Sequence, residues 1–408
     1  MTTTSEVLST RAPSRDPGLV EAGGWPFLIT AFLGRIPSSM LQLGYLMVLS
    51  TSGRGLAMGG LVVACIGLGT AIGAPVLGRL VDRFGALWVL TAATALSVLG
   101  QIDFLRNLSA GSSSTELLVC AGLVGAANPQ IGPVARSHWS HLVEKLGAPR
   151  LMSKALGYEG AVDELGFVIG PVLAGSLVSF FGAQPAAIAM LVLTVVLQGL
   201  FLGHLWHVRA PRTVDVRDDG SREAMGLGWS VLPPMLACLG VGLLFGATQT
   251  ALTALFNARE MPQATGLVYG CVGVGSGLAS LAVGRLSPRI PVWTRVLGGA
   301  VVILVGALLM MTLPGALLAS VHGLLLGCGA GVTLVSSFGW MERIAPRTRI
   351  ATMMTTLATC LTLGVSAGAA VAGKLAAQPS HAFWPLLVAA ALAVLGSAGM
   401  RLSSRRES

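Results

Sequence analysis

The sequence predicts an all-α integral membrane protein, with twelve transmembrane helices arranged as two pseudo-symmetric six-helix bundles. Three observations carry that prediction. Of the 408 residues, 53% are hydrophobic and only 11% charged, and the mean hydropathy is +0.77. A soluble domain is about 25% charged, so this chain lacks the side chains to cover itself in water and most of its solvent must be lipid. Apolar stretches of membrane-spanning length recur along the whole chain. A polar break then divides them into two sets of six.

A helix needs about 20 apolar residues to cross a hydrocarbon layer of ~30 Å. Residues 1–24 are polar and contain no apolar core followed by a small-residue cleavage site, which predicts a cytoplasmic tail and not a signal peptide. In the first half, residues 25–207, spans fall at about 26–49, 57–77, 87–105, 117–135, 155–180 and 186–206. Residues 208–230 follow, with Arg209, Arg212, Asp215, Arg217, Asp218, Asp219, Arg222 and Glu223, and read as a solvated cytoplasmic linker. In the second half, residues 231–401, spans fall at about 231–253, 264–284, 296–313, 316–338, 351–376 and 383–401. A second cytoplasmic tail occupies 402–408.

Charge placement predicts the orientation. With the N-terminus inside, inner loops and tails hold 21 of the 26 Lys and Arg residues. Outer loops hold four (Arg54, Arg106, Arg259 and Lys374), and Arg35 lies within a span. That bias is the positive-inside pattern. The net charge of +9 is therefore a topology signal and no footprint of nucleic acid. The six cysteines stand singly in apolar segments without a CxxC pair, so they read as reduced packing residues. Arginine far outnumbers lysine, as in GC-rich genomes, and the expected location is the cytoplasmic membrane of a bacterium.

Internal echoes support two homologous halves. Gly78-Arg-Leu-Val-Asp-Arg-Phe84 follows the second span, and Gly284-Arg-Leu-Ser-Pro-Arg-Ile290 follows the eighth. In the fifth span, Gly166-x3-Gly170-Pro171-x2-Ala174-Gly175 is echoed in the eleventh by Gly364-x3-Gly368-Ala369-x2-Ala372-Gly373. The two offsets, 206 and 198 residues, are each about half the chain.

On these residues the chain resembles the major facilitator superfamily, essentially over its whole length. The inner-loop run Gly78-x3-Asp82-Arg83-x-Gly85 is similar to that superfamily's loop signature between the second and third helices. The run Gly166, Gly170, Pro171, Ala174 and Gly175 is similar to the glycine-proline motif of its drug/proton antiporter, or efflux, branch, with Ala174 where the family usually has glycine. The resemblance implies alternating access, with two halves rocking around a central cavity. Antiporters of that branch also carry an arginine in the fourth helix. Aligning their small-residue run on Gly125-Ala126-Ala127 places Val119 there, so the family's proton-relay role does not transfer to this position.

Both motifs also have a direct physical reading. Asp82 and Arg83 beside helix ends form charge-assisted contacts that latch one conformation, or else Arg79 and Arg83 only anchor the chain on its positive side. Gly166 and Gly170 share a helical stripe that lets another helix approach closely, and Pro171 removes a backbone hydrogen bond and permits a bend. Whether that stripe gates or only packs stays open at this stage.

An ionisable residue at bilayer depth costs roughly 2.5–3.5 kcal/mol on insertion scales, so it needs a partner or a wet cavity. Arg35 lies about 15 Å into the first span and Asp163 about 13 Å into the fifth, at ~1.5 Å per residue. The two are therefore expected at one depth. Glu159 and Asp163 are i,i+4 neighbours on the stripe of Gly166 and Gly170, while Glu164 points about 100° away. Asp163, with Glu159 or Glu164, is expected either as a protonation switch paired with Arg35 or as half of a static ion pair. Arg35, with Gln42 two turns along its face, is alternatively a contact for an anionic substrate.

His138/His141 and His204/His207 have metal-compatible spacing, yet Trp139 and Trp206 beside them read as interfacial belts, and no metal or cofactor is expected. Arg136 reads as a topology anchor, with pairing to Asp82 as a lesser reading. There is no HExxH, no GxxxxGK[ST] and no GxSxG with partners, so neither an enzyme nor an ATP-driven pump is expected. The expected protein is a monomeric secondary transporter embedded in lipid, exporting a small, partly apolar compound in exchange for protons. A proton-linked importer of an anionic metabolite is the alternative within transport, and a non-transporting receptor or scaffold the alternative outside it.

Overall fold

A computed structural model describes residues 18–110, 113–208, 230–283, 290–344 and 350–407. Residues 209–229 of the expected linker (208–230), most of the N-terminal tail and residues 284–289 of the repeat segment 284–290 lie outside the described residues, as do the side chains of Asp82 and Glu164.

The described chain is helical throughout. The first half comprises α1 (Leu19–Thr51), α2 (Gly55–Phe84), α3 (Ala86–Ala110), α4 (Ser114–Ala126), α5 (Ile131–Leu146), α6 (Pro149–Phe181), α7 (Ala183–Leu193) and α8 (Gly199–Val208). The second half comprises α9 (Leu232–Asn257), α10 (Gln263–Val283), α11 (Val292–Met310), α12 (Ala316–Ile344), α13 (Ile350–Leu375) and α14 (Pro385–Glu407). Among the described residues, eleven stretches are long and apolar enough to cross a membrane. With α1, whose 33 residues are diluted by Arg35, Pro37, Ser38, Ser39 and Gln42, they correspond to the twelve expected spans.

Departures from regular helix have local causes. The helical stretch of α1 starts at Leu19, where the N–H of Gly18 donates to the Glu21 carboxylate at 2.8 Å, and it kinks at Gly24 (φ 74°, ψ 149°). The fourth span is α4 plus α5, running Ser114–Leu146 and well beyond the expected end at 135. Its break at 127–130 contains Pro129, which lacks an N–H and drives Asn128 out of helical geometry. Asn128 is then free to accept from Ser38 Oγ of α1 at 2.7 Å. The sixth span is α7 and α8 joined by a π turn, Thr194–Gln198, whose Thr194 hydroxyl meets the buried amide of Gln101 on α3.

The run Gly78–Phe84, expected as an inner loop, is the last two turns of α2. The link to α3 is the single residue Gly85, at φ 90° and ψ 149°. Only glycine takes that conformation without strain. Gly85→Ala is expected to lower stability by about 1–3 kcal/mol; an unchanged thermal unfolding midpoint in detergent would contradict this.

One buried apolar cluster centres on each half, and that of the first half reaches across to Ala369 of α13. Tyr45 stacks on Phe104 (centroids 4.2 Å apart, 8° between planes) in the first, and Phe256, Met310 and Phe383 are buried in the second. Lipid-embedded helices gain nothing from hiding apolar surface from one another, so small residues that admit close backbone contact decide which pair. Between the halves this happens along α2 with α13 and α6 with α10. A Cβ on Gly60 of α2 would lie 2.4 Å from the Ala369 carbonyl of α13, and one on Gly175 of α6 would lie 2.7 Å from Gly266 Cα of α10.

These contacts sit at the distal end, away from where α1 starts and α14 finishes. At the proximal end Gly78 on α2, and Gly157 and Gly160 on α6, are exposed and face open space. The close glycine contacts between the halves thus lie towards the distal end.

Candidate functional site

Four charged side chains meet in the first half, on α1, α5 and α6. Arg35 is buried at 7% exposure, and Glu159 on α6 has none. The guanidinium of Arg35 donates through Nη2 to Glu159 Oε2, while its Nη1 lies 3.2 Å from Asp163 Oδ1. The second oxygen of Asp163 accepts from Arg136 Nη2 of α5. The second oxygen of Glu159 accepts from the indole Nε1–H of buried Trp139, one turn on from Arg136, at 2.8 Å. Glu159 therefore has two hydrogen-bond donors, while Asp163 has one, from Arg136, and an ion-pair contact with Arg35.

Local packing explains why this works. Residues 159, 163, 166 and 170 form one face of α6, and that face meets α1: a Cβ on Gly170 would lie 2.6 Å from Ser39 Cβ. Close approach of the helices brings Arg35 within reach of both carboxylates. On α5, Gly132 supplies the remaining room, since a Cβ there would be 3.6 Å from Arg136 Nη1 and 3.7 Å from both Arg35 Nε and Asp163 Oδ1. Tyr158 fixes the turn of α6 beside the cluster by donating its hydroxyl proton to the Leu28 carbonyl at 2.9 Å.

Exposure within the cluster is graded. Arg35 and Glu159 are buried, whereas Asp163 and Arg136 keep 32% and 40% of their surface exposed. With two guanidiniums and two carboxylates the set is neutral when all are ionised. Adding one proton to Asp163 would leave a net positive charge on two arginines at bilayer depth, where charge acts strongly. Arg35 Nε and Nη1 are buried and have no hydrogen-bond partner among the described residues, Nη1 making only the ion-pair contact with Asp163.

Sequence reasoning placed Arg35 and Asp163 at one depth and Glu159 on the same stripe of α6 as Asp163, and the structure joins all three. It missed Arg136 and Trp139. Arg136 is no free anchor at the end of the fourth span but an ion-pair partner inside it. The available signal was its i,i+3 relation to Trp139 and i,i+4 relation to Gly132, which put all three on one face of a span that ends at Leu146 and not at the expected 135. Gln42 is half-buried and forms no hydrogen bond among the described residues. Arg83 lies over the Phe84 ring, 5.2 Å from its centroid, so its described contact is within α2. The glycine-proline run divides its work: Gly166 and Gly170 face α1, Ala174 is buried beside Gly44 and Met190, and Gly175 faces α10. The two His pairs form no group of three or more metal-ligating side chains among the described residues.

Long apolar helices, eleven of their stretches of membrane-spanning length among the described residues, together with a cluster of paired charges between α1, α5 and α6, fit a multi-pass membrane transporter. The chain belongs to the Major Facilitator Superfamily, whose family model matches residues 27–369. It is 24% identical over 301 residues to an uncharacterized MFS-type transporter, y4rN, of Sinorhizobium fredii, covering 68% of this chain and 69% of that protein. It is 29% identical over 215 residues to a triacylglyceride transporter of Mycolicibacterium smegmatis, covering 49% of this chain and 36% of the relative. The fold is similar to that of the nucleoside transporter NupG, with a TM-score of 0.72 at 14% identity over 92% of this chain and 98% of that one. Family and fold relatives are transporters, not enzymes.

Proposed function

We propose that this transporter exports a small, partly apolar compound by alternating access, coupled to proton entry through Asp163. The observation that supports the reading most is the graded cluster, in which a buried pair, Arg35 and Glu159, holds a partly exposed Asp163 that also meets Arg136. A proton arriving from one side replaces one of the arginine contacts of Asp163. Repacking of α1, α5 and α6 that follows is then tied to proton occupancy.

In this reading the bundles are residues 25–207 and 231–401, joined by a cytoplasmic linker at 208–230. Both termini are cytoplasmic in a bacterial inner membrane, the protein acts as a monomer, and the described state opens to the cytoplasm. Asp82 and Arg83 serve as a latch at the proximal end, with Gly85 as its hinge; Gly166, Gly170 and Pro171 let α6 slide on α1. The family match and fold relatives lend no support to a non-transporting receptor or scaffold.

One observation favours a second reading. The unused Arg35 Nε, together with the positive charge that protonation of Asp163 exposes, suits an anionic group and hence a proton-linked importer of an anionic metabolite.

Asp163→Asn separates coupling from binding. Efflux-deficient bacteria expressing wild type or variant at equal membrane levels are exposed to a broad compound panel, and hits are carried into proteoliposomes. The variant is expected to lose pH-gradient-driven transport at least about tenfold while substrate exchange across the membrane persists. Gradient-driven transport at the wild-type level in the variant would sink proton coupling through Asp163. Accumulation in place of protection would turn the direction to import.

A further inference from the structure

The geometry points to a binding site for an anionic phospholipid headgroup at the proximal end of the second half, outside the transport path and independent of the transport reading. A cavity of about 310 Å³ lies between the end of α10, the start of α11 and the last turns of α12. Its wall includes Ser336, which is 4% exposed and whose hydroxyl has no hydrogen-bond partner among the described residues. A helical serine ordinarily bonds the carbonyl one turn back; here the buried hydroxyl is left for an occupant of the cavity.

Two arginines line the same cavity. Arg295 is steadied by its Nε–H, which donates to the Ile290 carbonyl at 3.1 Å. Arg343 in the last turn of α12 is exposed and makes no ion pair among the described residues. The first turn of α11 opens on the cavity too, adding the positive end of a 19-residue helix. Guanidinium, hydroxyl and helix N-terminus together match a phosphate.

The rim is apolar. Ile290 and Val335 line the cavity and are each 37% exposed, so the occupant carries an apolar portion next to its anionic one. Depth agrees with this. Trp293, in the first turn of α11, is held by Ser397, whose hydroxyl donates to its carbonyl at 2.8 Å, and by Arg401, 4.8 Å above its ring. A tryptophan clamped by arginine at the end of a span marks the headgroup level. An anion with an apolar tail at that level is an anionic phospholipid.

Native mass spectrometry of the detergent-purified full chain, titrated with dioleoyl-phosphatidylglycerol or dioleoyl-phosphatidylethanolamine, tests the proposal. Wild type is expected to retain the phosphatidylglycerol adduct at least about fivefold over the zwitterionic lipid, and Arg343→Gln to cut that preference about fivefold. Gly339 lines the cavity and a Cβ there meets nothing within 4 Å, so Gly339→Trp fills the space without displacing backbone and is expected to have the same effect. Should the tryptophan variant fail to fold, the exposed Arg343→Gln decides alone. Equal retention of both lipids, or an unchanged preference in the folded variants, overturns the proposal. Displacement of the lipid adduct by millimolar inorganic phosphate would also overturn it, and would assign the cavity to a soluble anion.

Discussion

Arg35→Leu is expected to be among the most destabilising single substitutions in the chain, at about 3–5 kcal/mol. Glu159 is fully buried and takes one of its two donors from Arg35, and Asp163 is in ion-pair contact with the same guanidinium. Removing the guanidinium leaves two carboxylates one turn apart on α6, with Trp139 Nε1–H alone facing the buried one. A broken buried pair costs far more than the pair contributes, because the surviving charge stays desolvated. The double substitution Arg35→Leu, Glu159→Leu is therefore expected to recover all but about 1–3 kcal/mol, the remainder reflecting the orphaned indole N–H. Unfolding midpoints in detergent for both variants check this. A single variant with the wild-type midpoint, or a double variant no better than the single, would show that the cluster is not held as described.

Gly60→Leu is expected to open the distal end. The Cβ it adds would sit 2.4 Å from the Ala369 carbonyl oxygen, 3.1 Å from its carbon and 3.3 Å from Gly373 Cα, all backbone atoms of α13. None of them moves independently of its helix, so the clash is relieved only when the halves part. Overpacking of this kind costs about 1–3 kcal/mol or more in a fixed core. Where a second arrangement removes the clash, the same free energy shifts the population by roughly 10- to 100-fold towards it. Spin labels at Ser52 and Gln378, in a background with the native cysteines replaced, are expected to report a longer distal distance in Gly60→Leu. Gly157→Leu, at a proximal position with nothing within 4 Å, is expected to keep the wild-type distal distance. Equal distances in all three proteins would contradict a distal seal made by α2 and α13.

Much of the fold was legible because hydropathy is local and additive. A run of apolar residues reports a span whatever it packs against, and the twelve expected spans are all present as helices. The boundaries that failed are those where a span does not look like one. The fourth continues past Pro129 into a segment carrying Arg136, His138 and Trp139, whose side chains meet Asp163, Phe27 and Glu159 inside the protein. The expected loop at Gly78–Phe84 stays helical because only Gly85 has to turn. Its charges mark a helix end, and a helix end carries the same residues as a loop.

The candidate site was half legible for a related reason. Rise per residue places Arg35 and Asp163 at one depth, and the 3.6-residue period places Glu159 with Asp163, so both follow from sequence position alone. That Arg136 rather than Asp82 or solvent completes the cluster depends on the rotation of α5 about its axis and on the space left at Gly132, neither of which is a property of any one segment. The sequence by itself determined that the chain lives in lipid, how many times it crosses, and which charges need partners there. Only the tertiary structure decided which partners those are and where the halves touch, because both rest on how separate helices approach and rotate against one another, an approach set by single glycines.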